Sequence, residues 1–159
     1  MALINKEEKN RFLFALPTWF TRFIPHLHLI PQALVISPGK NDRLIFDGSF
    51  AINADSEYVN NWTNKVNEPP LVFPASFIKH LTRIYNLRIT YPSEDILLWD
   101  DDVSSAFRWI KLHPDIASVF AFAVDKFMFI PTGQTFGSNT SPSNWEVLAQ
   151  ARTLIGEIF

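Results

Sequence analysis

The sequence predicts an α+β domain. Two observations carry this. Short aromatic-rich runs with strand character alternate irregularly with two segments of helical spacing. Their order is strand, helix, strand, helical turn, hairpin, helix, which is not a regular βαβ array. Composition agrees: of 159 residues, 47% are apolar and 19% charged, with 15 phenylalanines and five tryptophans. Such a chain can bury a real core, and disorder over most of its length is excluded.

Residues 1–39 contain Pro17, Pro25, Pro31 and Pro38, which forbid a long helix. They read as an extended lead-in, packed on a domain of residues 40–159. His26 and His28 alternate with Leu27 and Leu29 and could share one face. No third ligand lies nearby, so satisfied or surface histidines are favoured over a metal pair. "RLIFDGSFAIN" (43–53) reads as a strand with a turn at Asp47-Gly48. Residues 54–72 are polar and end in Glu68-Pro69-Pro70, a loop or insertion. Apolar residues at 77, 81, 84 and 87 predict a helix with Pro74 in its first turn. "DILLWD" (95–100) reads as a short buried strand, and "VSSAFRWIKL" (103–112) as a compact helix or turn. "IASVFAFAV" and "KFMFIPTG" predict a hairpin around Asp125-Lys126. The last helix takes Ser141 as N-cap and Pro142 as first residue. Trp145, Leu148, Ala151, Ile155 and Ile158 form its apolar stripe.

Bulk properties bound the function. Without cysteine, disulfides and thiolate metal sites are excluded. No run of about 18 apolar residues is present, and the N-terminus lacks the order of a signal peptide. An intracellular, non-secreted protein without a membrane partner is expected. The sequons at Asn61 and Asn139 are then chance matches. Net charge is −2, but residues 1–90 carry ten Lys/Arg against seven Asp/Glu, and residues 91–159 carry four against nine. A phosphate-handling surface beside a cation site fits that split; so does scatter among solvated charges.

Three separated segments carry candidate chemistry. "RLIFD" holds Arg43 and Asp47. "DVSSAFRWIKLHPD" holds Asp102, Val103, Ala106 and Phe107. "TFGSNTSPSNW" holds Phe136, Gly137, Ser141, Pro142 and Trp145. Together they resemble the fingers and palm of a reverse transcriptase, over roughly residues 30–159. The first palm motif of that family has an aspartate at a strand end, with an aromatic residue five positions later. Asp102 and Phe107 match it, with Ala106 as the small residue between. "IKLHPD" is similar to a segment common in retrotransposon polymerases. Phe136-Gly137 through Ser141-Pro142 matches the second palm motif in order and spacing, and Arg43 with Asp47 matches the fingers motif.

The resemblance implies nucleotidyl transfer of a deoxynucleoside triphosphate to a primer on an RNA or DNA template, with two Mg2+ ions in the complete enzyme. Asp102 would be the catalytic metal ligand, assisted by the Val103 carbonyl. Backbone N–H groups from Ser104 to Phe107 would meet phosphate oxygens. Phe107 would gate against a ribose 2′-hydroxyl. Arg43, helped by Lys40, would hold the triphosphate. Phe136 and Gly137 would lie close to the incoming nucleotide.

Taken singly, each residue has a plainer reading. Asp102 suits an N-cap. Phe107 and Trp145 suit a core. Arg43 and Asp47 suit a surface ion pair worth about 0–1 kcal/mol. The sequence also departs from the family. It has no Tyr-x-Asp-Asp box, and Gly48-Ser49-Phe50 replaces the usual aromatic-basic pair. The expectation is therefore a polymerase fragment without the remaining palm, thumb and nuclease regions. It would be inactive alone, with weak or absent magnesium binding. The alternatives are a non-catalytic domain binding nucleic acid or a protein, and a phosphohydrolase using Asp100, Asp101 and Asp102. Aspartates that alternate across a strand argue against the second alternative.

Overall fold

A computed structural model describes residues 2–39, 42–51, 53, 57–71, 73–98 and 102–156. Its elements are α1 (Ala2–Lys9), β1 (Leu13–Pro17), β2 (Gln32–Val35), β3 (Arg43–Phe46), α2 (Phe73–Thr90), α3 (Pro114–Ala117), β4 (Phe122–Val124), β5 (Phe127–Pro131) and α4 (Ser141–Gly156). Short 3-10 turns fill several connections, among them Val59–Trp62 and Ala106–Trp109. The α+β class is as the sequence predicts.

The main sheet is antiparallel, in the order β1-β5-β4. Asp125-Lys126 closes the β4–β5 hairpin, with Asp125 at φ 54 as a tight two-residue turn requires. β1 pairs with β5 along its whole length, from Leu13 opposite Pro131 to Pro17 opposite Phe127. Residues 1–39 are thus more than an extended lead-in. They supply α1, an outer strand of the main sheet, and β2, which pairs antiparallel with β3. A strand ending in proline is tolerated there because one of its edges has no partner strand.

The core lies between the sheet and the β2–β3 pair. Phe46, Phe122 and Phe129 are its centre: Phe122 stacks on Phe129 at 5.1 Å, and Phe46 meets Phe122 edge-on at 5.5 Å. Ile30 crosses beneath, its N–H donating to the Ala121 carbonyl at 2.7 Å. Beyond β5 the chain folds back on residues 110–112. Leu112 N–H donates to Thr132, and Gln134 N–H to Ile110, so the Ala106–Trp109 turn is fastened to the end of the sheet.

Three expectations are corrected. The buried strand over 95–100 does not form in its described part: Asp95–Leu98 has no regular structure, Leu97 is 91% exposed and Leu98 63%. Apolar composition without a pairing edge does not make a strand. The first half of "IASVFAFAV" is helical, because Pro114 opens a turn and the His113 side chain accepts the Asp115 N–H. Ser141 is not the N-cap of α4. It is already helical, and Thr140 supplies the first accepting carbonyl, to Asn144 at 3.1 Å. The last helix and α2 otherwise fall where the spacing puts them. In the described residues their apolar stripes are largely exposed, including Phe77, Leu81, Leu148 and Ile155; Ile158 lies outside those residues.

Phe122→Ala should cost about 3–5 kcal/mol, by the loss of a fully buried ring from this cluster. Leu97→Ala should change stability by less than about 0.5 kcal/mol. Urea denaturation of both variants checks the pair, and a large cost at Leu97 would restore the buried strand.

Candidate functional site

An open cleft of about 800 Å³ lies where α1, β3, the 102–108 segment and the loop after β5 meet. It gathers Arg43, Asp102, Val103, Ala106, Phe107 and Phe136, from positions more than 90 residues apart in sequence. The local chain accounts for the wall. Ser105 takes a left-handed conformation (φ 57) and opens the 3-10 turn, so Asp102 does not cap it. The turn is locked by the Trp109 indole N–H, which donates to Ser104 O at 3.0 Å, and by Trp109 edge-on to Phe12. Phe107 then packs against Phe136, ring centres 5.0 Å apart. Asp102 and Arg43 are exposed on the cleft.

Other predicted residues support the cleft from outside. Gly137 (φ 101) lies behind Phe136, its Cα against the Phe46 carbonyl; a Cβ there would overlap that oxygen. The preceding residue is joined to β3 by the Phe46 N–H, which donates to Phe136 O at 3.0 Å. Asp47 makes no ion pair with Arg43; its carboxylate accepts the Ser49 N–H at 3.1 Å and shapes the turn. Ser141 is fully buried, its hydroxyl donating to Thr135 O at 2.8 Å. Pro142 is exposed and Trp145 half-buried on the first turns of α4. Lys40, Asp100 and Asp101 lie outside the described residues. His28 packs on Trp62.

Two features escape the sequence reading. Asn60, inside the presumed insertion, holds three loops together. Its side-chain amide donates to Gly137 O and to Ser49 Oγ, both at 2.9 Å, and accepts the Asn139 N–H at 3.0 Å. No spacing rule marks it, since its partners come from distant turns. The other is α1, which brings Lys6 and Glu7 to the cleft.

Among the described residues, no group of three or more His, Asp or Glu is placed to hold a metal ion. Asp42 and Asp102 line the cleft with exposed carboxylates, and Val103 lines it too. That set suits a magnesium ion arriving with a phosphate ligand, since Mg2+ needs only one or two protein carboxylates in such sites. It does not suit a free-standing two-ion centre.

Comparison with known proteins gave no match: no family model, no curated protein and no solved structure is significantly similar to the chain. No helix among the described residues is long and apolar enough to cross a membrane.

Gly137→Ala should destabilise by about 1–3 kcal/mol through overlap with Phe46, and Asn60→Ala by a similar amount through its lost loop contacts. Thermal unfolding monitored by circular dichroism checks both. Neutral effects would show that the loop over the cleft is not held in this way.

Proposed function

We propose that the cleft binds a deoxynucleoside triphosphate and that the chain is the nucleotide-binding part of an RNA-directed DNA polymerase. The observation behind this reading is the convergence of Arg43, Asp102, Ala106, Phe107 and Phe136 on one cleft. The motif resemblance selects these residues from three distant segments; the fold puts them together.

Each role follows from its chemistry. Arg43 offers an always-charged fork to phosphate oxygens. Asp102, with the Val103 carbonyl, would hold the magnesium that accompanies the triphosphate; when bound, that ion neutralises phosphate charge and lowers the barrier to attack on the α-phosphorus. Phe107 is braced by Phe136, so its ring is a rigid wall where the sugar would pack. A rigid wall discriminates against an added hydroxyl better than a mobile one. One motif carboxylate does not hold two ions, so primer extension by this chain alone is not expected.

A second reading has its own observation. α2 carries Lys79, Arg83 and Arg88 and no acidic residue, with exposed Phe77, Ile78 and Tyr85 beside them. Basic and aromatic groups on one exposed helix suit single-stranded nucleic acid, with or without catalysis. This favours the nucleic-acid form of the non-catalytic alternative over the protein-binding form.

Calorimetric titration with Mg2+ and dTTP or UTP tests the main reading. Arg43→Ala and Asp102→Asn should each weaken dTTP binding about tenfold, and Phe107→Ala should reduce the preference for dTTP over UTP. Equal affinity of the unaltered protein for both nucleotides, or indifference to Arg43, would refute it. For the second reading, Lys79→Ala should lower the salt slope of oligonucleotide binding by about one unit if that residue meets a phosphate.

A further inference from the structure

Directly after Phe107 stands a cation that the proposed nucleotide contacts leave unused. Arg108 lines the cleft yet is only 2% exposed. Its backbone is fixed by an N–H bond to Ser105 O at 2.8 Å, and by Gly133, where any Cβ would overlap the Arg108 carbonyl. Its guanidinium carbon lies 4.9 Å from the Phe46 ring centre. The charge is therefore held rigidly in a dry place. Burial lowers the Arg108 pKa, and Glu7 beside it opposes that shift; the group stays cationic.

Its hydrogen bonding is incomplete. Arg108 Nε forms an ion pair with Glu7 Oε2 at 3.0 Å. Neither Glu7 Oε2 nor Arg108 Nη1 has a hydrogen-bond partner among the described residues, although both atoms are buried. Polar atoms in such a place are ordinarily satisfied. Glu7 belongs to α1, an eight-residue helix that buries only Ile4. A helix that short has little stability of its own.

We propose that Arg108 is an anion-binding residue for a phosphate-class ligand, and that Glu7 is an internal counter-ion which the ligand displaces. A phosphate has more oxygens than a carboxylate and can fill both Nε and the open Nη1. Low local polarity strengthens the contact once made. Lys6 on α1 and Arg43 on β3 line the same cleft and add positive charge. Glu7 then sets the affinity, because the ligand binds only the fraction of molecules in which the pair has opened. The inference rests on the proposed function only for the ligand's identity as a nucleotide; the anion site stands apart from it.

Titration of the full chain with inorganic tripolyphosphate, at fixed ionic strength, tests this without sugar or base. Glu7→Gln should raise affinity about tenfold by removing the competitor. Glu8→Gln, on the exposed side of α1, should change it less than about twofold, which separates competition from general charge. Adding Arg108→Met to Glu7→Gln should abolish the gain, with circular dichroism confirming the fold. Should that double variant not fold, Glu7→Gln with Arg108→Lys serves, and the gain should shrink with the lost fork. A purely structural pair gives the contrary result: Glu7→Gln unfolds at lower temperature and binds tripolyphosphate no better. No binding of dTTP at millimolar concentration would refute the nucleotide reading while leaving the tripolyphosphate result intact.

Discussion

The burial of one phenylalanine joins the parts of this molecule. Phe46 is 1% exposed at the end of β3. Its ring meets Phe122 on the main sheet and lies beneath the Arg108 guanidinium. Its N–H bonds to Phe136, and its carbonyl abuts Gly137. One residue thus sets the β2–β3 pair against the sheet, the cleft wall against β3, and the loop over the cleft against both. The apolar ring supplies the burial energy and the backbone supplies the register. Arg43, three residues earlier on the same strand, owes its position on the cleft to this anchor.

Around that anchor, order and exposure divide along functional lines. The residues that brace the cleft are buried or bonded: Gly137, Asn60, Ser141 and the Trp109 side chain. Those proposed to meet a ligand, Asp102 and Arg43, are exposed and make no ion pair among the described residues. This is the arrangement a preorganised binding site needs, with rigidity behind and unspent charge in front. Arg108 is the exception, buried and paired with Glu7 while its Nη1 has no hydrogen-bond partner among the described residues. The exposed apolar faces of α2 and α4 lie outside this core; uncovered apolar surface of that kind marks contact regions.

Much of this was legible in the sequence where signals are local. The Asp125-Lys126 hairpin, the 43–46 strand, the 106–109 turn and the two long helices all follow from turn chemistry or spacing. The family resemblance picks out Asp102, Phe107, Arg43 and Phe136, and all four line one cleft. What the sequence hid depends on distant partners. β1 is a strand because β5 lies beside it, although paired residues such as Leu16 and Met128 stand 112 positions apart in the sequence. Asn60 matters through turns it does not neighbour in sequence. "DILLWD" has the apolar run of a buried strand, yet Leu97 and Leu98 are exposed and pair with no strand among the described residues.

The central claim is that residues from three distant segments form one nucleotide-binding cleft. A 1H–15N correlation spectrum of the full chain, titrated with dTTP and Mg2+, tests it most directly. The account predicts shifts concentrated at Arg43, Ala106 to Arg108 and Phe136, saturating together with one dissociation constant. Shifts confined to α2, or no shifts at millimolar nucleotide, would contradict it.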